Sequence, residues 1–237
     1  MPTVEVKNLV KKYGSIEAVK GISFNVNKGE IFGLIGPNGA GKTTALRTIA
    51  TLLQITSGSI SILDYDVKKQ PDEIRRLISY LPEDAGAYKN LTGRAYIRFI
   101  ANFFHDISKD EMVAKGIEIA DLGDRIDDKV DTYSKGMKRR LLVGRALMID
   151  PKLAILDEPT SGLDVINAQE IRRIIKNTAK KGTAVLLSSH NMLEVEYLCD
   201  RIALIANGKI IEEGKPKSLM EKYHANNIEE VFVKVVE

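Results

Sequence analysis

Short apolar segments broken by turn signals dominate the first thirty residues. Residues 3–9, 11–15 around Gly14, and 22–26 read as short strands, and Asn27-Lys28-Gly29 reads as a turn. Residues 30–35 form an apolar strand that runs straight into a glycine-rich loop. A helix is predicted over 42–53, with Ala45, Leu46, Ile49, Leu52 and Leu53 at helical spacing. Residues 59–63 return to strand. From Leu91 to about Ile149 the pattern is helical, and Tyr96, Ile97, Ile100, Phe103 and Phe104 make an apolar stripe. Strand and helix then alternate: strand 153–156, helix 166–180, strand 184–188, helix 192–198 and strand 202–205. The tail from Ser218 is expected to add a small helix and a strand. This order predicts an α/β fold with a mainly parallel sheet, crossover helices and a helical insertion in the middle.

Composition narrows the class. The chain has 237 residues, 44% hydrophobic and 28% charged, enough for one large domain or two small ones. A formal charge of +3 makes no case for nucleic acid. Every apolar run is strand-sized, far short of the ~20 residues that cross a bilayer. The N-terminus lacks a basic segment followed by an apolar stretch, so no signal peptide is expected. The single cysteine, Cys199, cannot form an internal disulfide and reads as a small core hydrophobe. A soluble cytosolic protein is expected.

The glycine-rich loop carries the first chemistry. Gly36-Pro37-Asn38-Gly39-Ala40-Gly41-Lys42-Thr43 matches the P-loop pattern between a predicted strand and a predicted helix. Glycines let main-chain N–H groups surround a phosphate, and the helix start adds its positive dipole end. Lys42 supplies a charge for the β- and γ-phosphates, and the Thr43 hydroxyl can ligate Mg²⁺. Such a loop alone leaves kinases, GTPases, helicases and transporters open. Downstream, the apolar strand 153–156 ends in Asp157-Glu158. There Asp157 can hold Mg²⁺, and Glu158 can orient or deprotonate a water.

Between these motifs lies Tyr133-Ser134-Lys135-Gly136-Met137-Lys138-Arg139-Arg140, with Ser134 as a helix N-cap. Ser161-Gly162-Leu163-Asp164 follows Glu158, and a later strand ends in Ser188-Ser189-His190. P-loop, signature segment, acidic strand, the loop bearing Asp164 and the terminal histidine stand in an order that resembles the ABC-transporter ATPases. The resemblance covers nearly the whole chain. It implies a P-loop NTPase core (1–83 and 151–217), with a mainly parallel sheet and an N-terminal antiparallel β subdomain. It also implies an inserted helical subdomain (84–150) and a C-terminal tail (218–237).

The resemblance further implies ATP and Mg²⁺ as ligands. Tyr13 would stack on adenine, and Gly36 to Lys42, Thr43 and Thr44 would hold the phosphates. Thr43, Asp157 and Glu83 would serve the metal. Glu158 and His190 would be catalytic. Ser134 and Gly136 would close over the ATP of a second ATPase subunit, a copy or a paralogue, in an ATP-sandwich dimer, and Asp164 would also bind nucleotide. His105 and His224 match nothing and read as ordinary surface or packing residues. Implied partners are separately encoded transmembrane permease subunits, with the chain peripheral on the cytoplasmic face of the membrane. A soluble ABC ATPase in iron–sulfur assembly, translation or DNA repair is the alternative.

Three departures from the family pattern stand out. Glu83 replaces the usual glutamine, and Lys135 and Met137 occupy the signature segment. Lys135 is expected at negative φ, either swinging into solvent or leaning toward the partner's nucleotide. The wording of these segments is most like the branch that exports drugs, antibiotics, sodium and polysaccharides. Lys138-Arg139-Arg140 has no aromatic platform beside it and reads as a solvated basic turn, or one facing an acidic partner loop, rather than a nucleic-acid site.

Overall fold

A computed structural model describes residues 1–104 and 108–236; His105 lies outside them. Two sheets carry the chain. The first is antiparallel and is built from β1 (Val4–Tyr13), β2 (Ile16–Val26), β4 (Ser57–Ile62) and β5 (Tyr65–Asp66), in the order β2-β1-β4-β5. The second contains β3 (Ile31–Ile35), β6 (Ile78–Leu81), β7 (Leu153–Asp157), β8 (Ala184–Ser189), β9 (Arg201–Ala206) and β10 (Lys209–Gly214). Its order is β10-β9-β3-β8-β7-β6, and only the β10–β9 pair is antiparallel.

The central strands are buried on both faces, which is why they read as unbroken apolar runs. Alternate residues serve different layers. Phe32, Leu34, Ile155, Leu186 and Ala203 face α1 (Lys42–Ile49) and the antiparallel sheet. Ile31, Ile35, Leu156, Leu187 and Leu204 face the other layer. That layer holds α3 (Gly93–Ala101), α4 (Lys109–Ala120), α5 (Lys135–Leu147) and α6 (Val165–Lys180), with α7 (Met192–Leu198) and α9 (Ile228–Val236) beside them. The short α2 (Pro71–Leu77) precedes β6, and α8 (Pro216–Lys222) precedes α9.

Several expectations need correction. The helix after the P-loop stops at Ile49, because Thr51 takes a left-handed φ of 62°. The apolar stripe of the insertion does not continue as helix, since α3 ends at Ala101 and Phe103 is 65% exposed. Among the described residues the tail holds no strand, and its second half is a helix. Val-Phe-Val-Lys-Val-Val has strand propensity, but Asn227 accepts the Glu230 N–H at 2.9 Å and Glu229 and Glu230 favour a helix start. Burial of Ile228 and Val231 then fixes α9 as a helix. The strands β5 and β10 and the helix α2 carried no clear signal in the sequence.

Cys199 closes α7 and packs against Gly33, where an added Cβ would sit 2.9 Å from its Sγ. Burial pushes the thiol pKa well above its ordinary value, so the reactive thiolate is scarce in the folded protein at pH 8. A disulfide reagent should therefore label Cys199 only after unfolding in guanidinium. Labelling of the native chain at the rate of a free thiol would contradict this burial.

Candidate functional site

Four parallel strands end nearly level. Ile35 pairs with Ser189, Asp157 with Ser188, and Leu81 with Leu156. The loops that follow β3, β6, β7 and β8 therefore open at one edge of the sheet, where α/β folds bind ligands.

The P-loop is shaped by close backbone contact. A Cβ on Gly36 would lie 2.1 Å from the Ile205 carbonyl oxygen. Gly41 adopts φ 104°, and its Cβ would meet the Ala18 carbonyl at 2.5 Å. Gly41 is also the N-cap of α1 and offers no side chain, so the first-turn N–H groups suit an anion. Lys42 is buried, and its Nζ donates to the carbonyls of Gly36 (2.7 Å) and Pro37 (3.1 Å). A cavity of about 170 Å³ opens here, lined by Ala18, Asn38, Gly39, Gly41, Lys42, Thr43, Thr44, Glu83 and Glu158. Other clefts lie against α4 and α6 and hold paired surface charges such as Arg173–Asp121.

The two acids after β7 have separate environments. Asp157 is 1% exposed. Its Oδ1 accepts from Thr43 Oγ1 (3.2 Å) and Ser188 Oγ (2.5 Å), and Tyr80 reaches Oδ2 at 3.4 Å. Burial raises the Tyr80 phenol pKa, which keeps it a donor. Glu158 is 4% exposed and takes a left-handed φ of 48°. Its Oε2 lies 2.8 Å from His190 Nδ1, while Oε1 stands 3.5 Å from Lys42 Nζ and has no hydrogen-bond partner. Ser188 ties the acids together, because its Oγ also accepts the Glu158 N–H at 3.0 Å. Thr43, Asp157 and Glu83 offer oxygen donors only, the set that suits Mg²⁺ with phosphate and water completing the shell. Glu83 is exposed, and its Oε1 is 3.4 Å from Ser161 Oγ.

Ser134, Gly136 and Asp164 do not line this cavity. Ser134 caps α5, accepting from the Met137 N–H at 3.2 Å. Asp164 caps α6 through the Asn167 N–H (2.9 Å) and Nδ2 (2.6 Å), and these bonds hold its carboxyl below the usual range. The Asn167 amide fills the space beside Gly136, where a Cβ would come within 2.1 Å of it. Lys135 is the first residue of α5, and its amine lies directly over Gly162 of the same chain. Met137 packs on the core. Tyr13 ends β1 with its ring 46% exposed and the Lys11 amine 5.1 Å from the centroid. His224 is exposed.

The structure adds residues that the motifs did not signal. Ser188 and Tyr80 hold Asp157. Glu194 on α7 accepts from Thr160 Oγ1 at 2.7 Å and pairs with Arg172 at 2.9 Å. Arg139, expected in a solvated turn, is instead 7% exposed and donates into the loops after β6 and β7. Only the basic run itself marked it, and nothing local distinguished it from Lys138 or Arg140.

Replacing Ser188 by Ala strips one donor from buried Asp157 and one acceptor from the Glu158 N–H. Stability should fall by about 1–3 kcal/mol, read by denaturant unfolding, with the slope unchanged. An unchanged midpoint would mean that this bridge is not felt in the fold.

A sequence profile of the ABC transporter family matches residues 19–161. The linearmycin resistance ATP-binding protein of Bacillus subtilis is 37% identical over 97% of this chain and 75% of its own length. The bacitracin transport ATP-binding protein of Bacillus licheniformis is 40% identical over 89% of this chain and 69% of its own. Among solved structures, an ATP-binding subunit of an ABC transporter superposes with a TM-score of 0.87 at 29% identity, covering 99% of this chain and 100% of that one. A dimeric ATP-binding cassette in a post-hydrolysis state, bound to ADP and Pi, gives 0.79 at 26% identity over 90% and 98%. The chain belongs to the ABC transporter family as an ATP-binding subunit, and its reaction is ATP hydrolysis.

Proposed function

We propose that this chain is the motor of an exporter, driving separately encoded transmembrane permease subunits as an ATP-sandwich dimer with a second ATPase subunit. The observation that carries the hydrolytic reading is Glu158 Oε1, a buried carboxylate oxygen without a hydrogen-bond donor beside the P-loop lysine. Buried acceptors are nearly always satisfied, so an open one in a phosphate-binding cavity suits an attacking water. In this reading Glu158 Oε1 takes the water's proton, and His190 holds the other oxygen so that the carboxylate keeps its aim. Lys42 exchanges the Gly36 and Pro37 carbonyls for phosphate oxygens. Thr43 and Asp157, with Glu83 in reach, would hold Mg²⁺, which would supply neutralising charge on the phosphates. Tyr13 offers an exposed ring for the adenine.

Dimer closure is supported by the division of the site. Ser134 and Gly136 stand apart from the P-loop cavity, which supports the reading that they serve a nucleotide held by another subunit. The dimeric cassette among the structural neighbours is consistent with this pairing. The export reading rests on relatives named for linearmycin resistance and bacitracin transport. Among the described residues no helix is long and apolar enough to cross a membrane, so the cargo path is assigned to the permease. Its docking surface is placed at Tyr88, Phe99 and Phe103. These exposed aromatics pack edge-to-face at 5.3 Å on the helical layer, close after Glu83 in the chain. The chain would then sit at the cytoplasmic face of the membrane, held by that contact.

Glu158→Gln keeps the shape and loses the base. Turnover should drop by about 10²–10⁴-fold while ATP still drives dimerisation, as read by phosphate release and sedimentation. Wild-type turnover would remove Glu158 from its role, and a dimer indifferent to ATP would contradict the sandwich. A second test addresses the metal. A carboxylate at Glu83 attracts the cation and repels the γ-phosphate, so Glu83→Gln should shift the Mg²⁺ dependence of turnover. Superimposable titrations would show that the metal site does not sense this charge.

A further inference from the structure

Arg139 is a buried guanidinium without a carboxylate partner. It stands five residues past Ser134 on α5, and among the described residues it forms no salt bridge. Its five N–H donors meet five main-chain carbonyls instead. Nε donates to Pro159 O at 2.8 Å, and Nη1 to Glu83 O (3.2 Å) and Pro82 O (3.4 Å). Nη2 donates to Asp157 O at 3.2 Å and to Glu158 O. Burial lowers the guanidinium pKa, yet arginine stays charged at any working pH.

Three consecutive carbonyls, from residues 157 to 159, converge on this one side chain. An extended strand sends successive carbonyls in opposite directions, so the chain must turn to present all three. The turn falls at Glu158, whose φ of 48° is a region that L side chains rarely adopt. A planar fork is the one side chain that can span so many acceptors. We propose that Arg139 is a positioning residue for hydrolysis, holding the Glu158 main chain in its left-handed turn so that the carboxylate meets His190 and Lys42. The same fork grips Pro82 and Glu83, so the helix that begins with the signature serine is pinned to both loops at the nucleotide edge. Any displacement of α5 would therefore reach the Glu158 carboxylate through this fork and the main chain it holds.

This inference rests on Glu158 as the general base, and the test separates the two. Arg139→Lys keeps the charge but cannot span five carbonyls. In this chain its kcat should fall roughly 10²-fold, the scale of an ångström-sized misplacement, while ATP affinity and ATP-driven dimerisation stay near wild type. In the Glu158→Gln background the same change should lower the residual rate no further. Glu158→Gln alone reports on the general base, so each idea fails by its own measurement. A folded Arg139→Lys with wild-type kcat would overturn the positioning role, as would a loss confined to KM. An equal further fall in the Glu158→Gln background would also overturn it, because Arg139 would then act through some other group. If Arg139→Lys does not accumulate as folded protein, Arg139→Gln is read by amide exchange against wild type. Faster exchange confined to residues 82–85 and 156–161 supports the proposal, and unchanged exchange there overturns it.

Discussion

The site depends on parallel strands ending at one level. Hydrogen bonding between β3, β8, β7 and β6 sets that level, and no functional side chain takes part in it. Once Ile35, Leu81, Asp157 and Ser189 are in register, the P-loop, the loop of Glu83, the two acids and His190 arrive at one edge. A slip by one residue in any pair would turn Asp157 or Ser188 toward the wrong layer. The doubly buried apolar strands prevent such a slip, because both faces would lose their packing together. Fold stability and site geometry therefore share one cause.

Holding charge inside such an edge is costly unless every group is answered. Asp157 is answered by three hydroxyls, Arg139 by five carbonyls, and Lys42 by two carbonyls beside Glu158. Glu158 is answered on one oxygen only. On the proposed reading, chemistry falls to that remaining oxygen. The main-chain turn that places this oxygen accepts hydrogen bonds from Arg139 of α5, so the open oxygen and that helix are not independent parts.

The P-loop and the paired acids were legible because their meaning is local: a strand, a few fixed residue types and a helix start. His190 became legible through order along the chain. Arg139 did not, because its burial is decided by loops some 20 and 57 residues away, and a run of three basic residues looks solvated from within. Lys135 reads as pointing to solvent or to a partner; it is exposed at the start of α5, and its amine lies over its own Gly162, a neighbour 27 residues away that the sequence does not signal. The C-terminal segment misled for a related reason. Its β-branched run favours strand, and the caps and the docking of Ile228 outweigh that propensity. The strands β5 and β10 lacked signal because edge positions tolerate polar residues and need no buried alternation.

Gly136 has a consequence for how such sequences drift over generations. Its lack of a side chain answers a demand within one chain, because the Asn167 amide occupies the space a Cβ would need and would have to shift to admit one. That demand persists whether or not a nucleotide is ever bound. A lineage that lost turnover would still gain from this glycine as long as the capping pair Asp164–Asn167 kept its place. The residue is thus a poor witness to activity among diverged copies. Glu158, whose Oε1 answers no donor of the fold, is on the proposed reading the position where decay of function should first be written.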